Sequence, residues 1–139
     1  MTVAHTPANS SGKLLFAVAC LALLSACAAG PTRTEPERFT LLHEGKISPS
    51  NVTLFAECLL DGFDKSHFMF TNATSRQQRR TDSFRVETLA GGRLIMISAD
   101  VFDDGRVQLL EAKEAALVNT SGEREAFVEC LGRYKLEAR

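Results

Sequence analysis

The sequence predicts a small α+β domain in two layers: a helix, a four-stranded antiparallel meander and a second helix, in that order. Apolar residues recur at helical spacing in two segments, and each segment contains a near-identical pentapeptide, FAECL (55–59) or FVECL (127–131). Between these segments the period changes to two and glycine-containing turn signals appear. Packing both helices on one face of the sheet lets their apolar sides meet it and brings the two pentapeptides together.

The first helix is predicted to begin at Ser48-Pro49, with Ser48 as the N-cap and Pro49 at the first helical position. Its apolar side is formed by Val52, Phe55, Leu59 and Phe63, which recur at helical spacing. Gly62 is the predicted stop. Upstream, residues 39–47 (FTLLHEGKI) carry apolar positions that could add a short edge strand.

The meander is predicted from alternating residues and two turn signals. Its four strands are 67–72, 83–88, 93–102 and 107–111. Gly91-Gly92 is one hairpin signal, and Asp103-Asp104-Gly105 is the next, where Asp-Gly supplies the positive φ angles. Residues 112–118 fit either an extension of the last strand or a helix.

The last helix is predicted to begin with a capping box, Thr120-Ser121-Gly122-Glu123. Phe127, Cys130, Leu131 and Tyr134 then recur at helical spacing. In both pentapeptides the phenylalanine, cysteine and leucine therefore share the buried side, while Glu57 and Glu129 face water. The similarity is explained by a shared role: in each helix the phenylalanine packs on the sheet, the cysteine crosslinks the two helices and the leucine fills space in the core.

The N-terminus predicts export. Lys13 precedes an apolar run of 11 residues, 14–24, too short for a bilayer span of about 20 residues. The run ends in Leu24-Ser25-Ala26-Cys27, which resembles the bacterial lipobox. The resemblance implies cleavage before Cys27 and a lipid anchor on that residue, and Ala28 in place of Asp points to the outer membrane. An ordinary secretory signal, cleaved within 26–30, is the alternative.

The resulting organisation has three parts: a signal peptide (1–26), a lipidated N-terminus with a flexible tether (27–38), and a periplasmic α+β domain (39–139). The 113 residues that remain after cleavage suit one small domain. They carry 15 Lys and Arg against 17 Asp and Glu, a net charge of −2. This balance argues against a nucleic-acid binder, which would be distinctly basic.

The remaining cysteines, Cys58 and Cys130, form an even pair in an oxidising compartment, so we predict a disulfide between them. It would close a loop of about 72 residues, for which the chain-entropy model gives roughly 4 kcal/mol. Two buried free thiols are the alternative.

We find no recognisable catalytic motif, and no cofactor is expected. His43 and His67 lack the spacing of metal ligands, so no metal site is predicted. Asp103 and Asp104 are better explained by a turn than by calcium or acid chemistry. The segment Arg76-Gln77-Gln78-Arg79-Arg80 is predicted as an exposed loop between the first two strands. Its arginines could contact lipid headgroups, lipopolysaccharide phosphates or an acidic protein, or could simply be a solvated hairpin tip.

These features favour a non-enzymatic envelope lipoprotein that binds a protein or an envelope component and is held at the membrane by its lipid. An enzyme acting on an envelope polymer is the main alternative, although no nucleophile, metal site or carboxylate pair is recognisable. A prophage-type exclusion lipoprotein would have the same sequence features. The oligomeric state is not predicted.

Overall fold

The computed structural model describes residues 33–67 and 72–135, without the side chains of residues 116 and 117. The strands are β1 (Phe39–Lys46), β2 (Ala73–Arg79), β3 (Ser83–Ala90), β4 (Leu94–Phe102) and β5 (Arg106–Ala112). The helices are α1 (Val52–Ser66) and α2 (Ser121–Tyr134). Three short 3-10 helices are Pro36–Arg38, Pro49–Asn51 and Lys113–Leu117. The predicted α+β class and single small domain are confirmed.

The sheet has five strands in the order β1-β5-β4-β3-β2, and every pairing is antiparallel. The four-strand count was therefore wrong by one. The fifth strand is β1, which lies within the segment 39–47 noted as a candidate edge strand and pairs with β5 along the sheet edge. Residues 112–118, left open between strand and helix, are mostly a short 3-10 helix.

The first strand of the meander was placed too early. β2 spans Ala73–Arg79 rather than 67–72, and residues 68–71 lie outside the described part of the chain. Helix α1 continues through the predicted stop at Gly62 to Ser66, with His67 as its C-cap. β2 carries almost no apolar side chains, because it is an edge strand that needs to bury little of its own surface. The period-two signal was therefore too weak to locate it.

The main core lies between the helices and one face of the sheet. Phe55, Leu59 and Phe63 of α1 are fully buried there, as is Phe127 of α2. They pack against alternate residues of the three central strands, chiefly Val86, Ile97, Ala99, Val101, Val107 and Leu109. The predicted apolar sides of both helices are thus the ones that meet the sheet, and both helices lie on the same face.

A smaller apolar cluster lies on the opposite face of the sheet. It is formed by Phe39, Leu89, Ile95, Met96, Ala112 and Ala115, the last from the 3-10 helix after β5. We call this whole face the sheet side. Outside the apolar cluster, it carries charged and polar residues from the same central strands.

Both predicted hairpin turns are present. Gly91 and Gly92 have φ angles of +57° and +68°, and the N–H of Arg93 donates to the carbonyl oxygen of Ala90 across them. In the second turn Gly105 alone has a positive φ, +86°, and a Cβ there would lie 2.2 Å from the carbonyl oxygen of Ile47. Glycine is needed at 105 for space as well as for backbone conformation.

Neither predicted N-cap side chain caps its helix. Ser48 makes no capping bond, and its hydroxyl pairs with that of Ser50 at 2.8 Å. The Thr120 hydroxyl donates to the carboxylate of Glu111 instead of the helix backbone. The fourth residue of the predicted box, Glu123, is fully buried and bonded elsewhere. At the start of α2, contacts with Glu111 and His67 have replaced the local capping bonds.

Candidate functional site

The two helices run antiparallel and contact each other through small residues. On α1 these are Cys58, Gly62 and Ser66, at intervals of four residues; on α2 they are Gly122, Ala126 and Cys130. Residues four apart lie on one side of a helix, so each helix offers a stripe of small side chains to the other. The contacts pair Ser66 with Gly122, Gly62 with Ala126 and Cys58 with Cys130.

The helix–helix contact is close. A Cβ at Gly62 would lie 2.6 Å from the Cβ of Ala126, and one at Gly122 would lie 2.7 Å from the Ser66 hydroxyl oxygen. The Cys58–Cys130 disulfide is formed here, across Cα atoms 6.1 Å apart. The rings of Phe55 and Phe127 meet edge to face beneath it, with centroids 5.9 Å apart. The repeated pentapeptide is therefore the crosslinked contact between the two helices.

A buried histidine–glutamate contact joins the ends of the same two helices. Nε2 of His67, the C-cap of α1, is hydrogen-bonded to Oε1 of Glu123 in the first turn of α2. Glu123 is fully buried and its Oε2 has no hydrogen-bond partner among the described residues.

A small cavity of about 270 Å³ opens beside His67. Its described lining is His67, Asn72, Ala73, Ala90, Met96, Val118 and Asn119. Catalysis by a histidine–carboxylate pair needs a nucleophile or a second acid within reach. None of these described lining residues supplies a hydroxyl, a thiol or a carboxylate. What the described residues show at this pair is a hydrogen bond between the two helix ends.

The sheet side carries a buried charge cluster, centred on Asp100 of β4. Arg85 of β3 donates to this carboxylate at 2.6 Å from Nε, and the guanidinium of Arg33 bonds to it from the opposite end of the chain. The Arg33 guanidinium also lies 4.8 Å above the ring of Phe39. The side chains of Arg33 and Asp100 are only 12% and 6% exposed, so this contact is a packed one.

The contacts of Arg33 and Arg38 show that the predicted flexible tether is shorter than expected. Residues 33–38 were expected to be flexible, but Arg33 is held by Asp100, and Arg38 pairs with Glu114 at 2.7 Å. Residues 36–38 form a 3-10 turn that leads directly into β1. Neither contact has a sequence signature, because each joins an arginine to an acid more than 65 positions away.

The predicted arginine loop is not a loop. Arg76 and Arg79 lie in β2, three positions apart and therefore on opposite faces of the strand. Arg76 pairs with the buried Glu87 at 2.9 Å, and Arg79 forms a bidentate pair with Asp103 at 2.7 Å. Arg80 follows the strand, is exposed, and has no ion-pair partner in the described part of the chain.

Arg80 borders a polar groove of about 560 Å³ at this end of the sheet. The groove is lined chiefly by Arg79, Arg80, Asp82, Arg85, Asp100 and Phe102. Three arginines face two acids, and each paired arginine keeps N–H groups beyond those its acid accepts. The groove can accommodate an anionic group, and Arg80 forms no ion pair with any acid of the described residues.

The acidic turn beside this groove is electrostatically stabilised. Hydrogen bonding to Arg79 lowers the pKa of Asp103, although solvent exposure limits the energy of that contact. The side chain of Arg106, and then its backbone N–H, lower the pKa of Asp104. Both carboxylates are thereby held ionised by neighbouring arginines, consistent with the predicted turn.

Cys27, the predicted lipid attachment, lies outside the described residues. The ring of His43 stacks on Phe127, with centroids 6.0 Å apart. Within 33–67 and 72–135 there is no group of three or more His, Cys, Asp or Glu side chains able to hold a metal ion. Within the same ranges, no helix has the length and apolarity needed to cross a membrane.

Comparison with known proteins gives no relative. No protein-family model, no curated protein and no solved structure matches this chain significantly.

Proposed function

We propose that this protein is a small lipoprotein of the bacterial envelope, anchored through Cys27, that acts by binding and not by catalysis. The observation that carries the proposal is the segment Leu24-Ser25-Ala26-Cys27 behind Lys13 and an 11-residue apolar run. The Cys58–Cys130 disulfide supports it, because structural disulfides belong to oxidising compartments such as the periplasm. By the same resemblance, the outer membrane is the proposed location.

The binding surface that the geometry favours is the polar groove at the end of β2. Its arginines suit a phosphate-bearing envelope component, because guanidinium groups bind phosphate through paired N–H donors. This keeps Arg79 and Arg80 from the three arginines first proposed as an anionic contact and adds Arg85. Arg76 is less suited, because the buried Glu87 already accepts from two of its nitrogens.

The anchor is tested by the mass of the protein extracted from its native membranes without reductant. We expect loss of residues 1–26, an added lipid and a deficit of two hydrogens for the disulfide. A Cys27→Ser variant should leave the membrane fraction. If that variant still sediments with membranes and resists carbonate washing, the anchor at Cys27 is wrong.

The groove is tested with the mature protein in detergent and inorganic pyrophosphate as the probe. Losing one charge-assisted contact of at least about 1.4 kcal/mol should weaken binding about tenfold in Arg80→Gln. Arg93→Gln is the matched control, since Arg93 is equally exposed but lies in the Gly91-Gly92 hairpin, away from the groove. Equal binding by both variants would remove the groove from the proposal.

A further inference from the structure

We infer that the domain lies with its sheet side toward the membrane and its two helices away from it. This rests on the proposed lipid anchor at Cys27 and deepens it, because it identifies the bilayer itself as the surface that the sheet side meets. The inference comes from where Arg33 is fixed and how little chain separates it from Cys27.

Arg33 fixes the start of the folded domain on the sheet side. Its partner Asp100 belongs to β4, and the neighbours of Asp100 along the strand, Ala99 and Val101, point to the opposite face and pack against the helices. β4 is the central strand of the five. The guanidinium of Arg33 therefore holds the start of the described chain on the sheet side, between Asp100 of the central strand and Phe39 of β1.

Six Cα–Cα steps separate Cys27 from Arg33. Even fully extended, they span only about 20 Å. To put the lipid beyond the helices by the shortest route, the chain would have to run about 7 Å along β4 to the strand end, two residues beyond Asp100. It would then have to cross the sheet, about 10 Å from one packed layer to the next, and pass a helix about 10 Å thick. That path is about 25 Å or more, so the lipid stays on the sheet side.

Had the tether been free from 27 to 38, as the sequence predicts, the twelve Cα–Cα steps from Cys27 to Phe39 would span about 40 Å when extended. The lipid could then lie on either side of the domain. The contact between Arg33 and Asp100 is thus what sets the orientation.

The charge distribution agrees with this orientation. Helices α1 and α2 together carry six acidic and three basic residues, a net charge of −3. The other described residues carry ten acidic and eleven basic residues, a net charge of +1. An anionic bilayer repels the helix layer more strongly than the rest of the domain. On the sheet side Lys46, Arg76 and Arg106 are exposed, and so is Glu44.

The orientation can be measured with two labelled variants of the lipidated full-length protein, Leu41→Cys and Val128→Cys. Leu41 lies on the sheet side and is 47% exposed, while Val128 lies on the outer side of α2 and is 52% exposed. With Cys27 acylated and the disulfide formed, the new cysteine is the single free thiol of the mature chain. A fluorophore on it is read in vesicles of phosphatidylethanolamine and phosphatidylglycerol that contain headgroup-nitroxide lipid.

We expect the nitroxide to quench the label at 41 several-fold more strongly than the label at 128. Arg33→Ala should reduce this difference by at least half, because it releases the tether. Arg38→Ala is the matched control and should preserve it, since Arg38 lies next to β1 and its loss leaves the Arg33 contact in place. Equal quenching at 41 and 128 in the unmutated background would overturn the inference.

Lipidation is read separately from the mass of each variant. If the protein carries lipid but the two labels are quenched equally, the anchor proposal stands and the orientation is wrong. A protein without lipid on Cys27 rejects the anchor and the orientation together.

Discussion

Replacing Gly62 with alanine tests the close approach of the two helices most directly, because the chain offers a matched control at Gly132. Both glycines lie within helices, so replacing either gains up to about 1 kcal/mol of helix propensity. At Gly132 the new Cβ meets nothing within 4 Å. Gly132→Ala should therefore stabilise the domain by about that amount, or raise Tm by roughly 4–8 °C.

Gly62→Ala has the same gain in helix propensity, but a steric clash opposes it. Its Cβ would lie 2.6 Å from the Cβ of Ala126, about 1 Å inside ordinary van der Waals contact. The helices cannot simply separate, because the disulfide joins them one turn away. Overpacking of this kind costs about 1–3 kcal/mol, so Gly62→Ala should be less stable than Gly132→Ala by that difference.

The assay is urea and thermal unfolding followed by circular dichroism, without reductant. Adding Ala126→Gly to Gly62→Ala moves the methyl group from one helix to the other, and should recover most of the loss. Equal stability of the two single variants, or no recovery in the double variant, would refute the close helix contact.

Three further outcomes follow from the same structure. Cys58→Ala and Cys130→Ala should each destabilise by about 2–4 kcal/mol, and the double variant should lose little more, as unfolding in urea would show; losses that add would mean two independent thiols. Glu123→Gln should lower stability by about 1–3 kcal/mol, since it disturbs the buried hydrogen bond to His67, and an unchanged urea midpoint would contradict that role. Asp103 should titrate below an ordinary aspartate, because Arg79 lowers its pKa. The contribution of that pair to stability is present above the unfolded pKa of about 3.9 and is lost as the pH falls through the lower folded value. Arg79→Gln should bring the carboxyl ¹³C titration back toward the ordinary midpoint, and a midpoint that stays low would exclude Arg79 as the cause.

The parts of the fold predicted from the sequence are those with strong local signals. The apolar spacing of Phe55, Leu59 and Phe63 found the buried side of α1, and the Gly91-Gly92 pair found a hairpin. The wrong predictions concern residues that fit a local sequence signal but whose identity is explained by a tertiary contact. Gly62 looked like a helix stop, but it is a glycine because Ala126 occupies the space a side chain would need.

The partners of the charged residues were even harder to predict from local sequence signals. Glu123 fitted a capping box, yet it is buried against His67, which lies 56 positions earlier. Arg76 and Arg79 looked like a loop because an edge strand needs few apolar residues, and their acid partners are 11 and 24 positions away. Spacing along the chain cannot identify such pairs, so the arginine cluster was recognised as basic but not as largely neutralised.

The pairing of β1 with β5 has a consequence for the order in which the protein folds. Its residue pairs link positions 60 to 73 apart, from Lys46 with Arg106 to Phe39 with Ala112. The hairpins from β2 to β5 need only local closure, which is fast, whereas contacts between distant segments form slowly. Under the proposed export, in which the N-terminus would cross the membrane first, β1 emerges before its partner β5. The edge strand docks after the meander, and Cys58 has to wait for Cys130 near the end of the chain, so oxidation is expected among the last steps of folding.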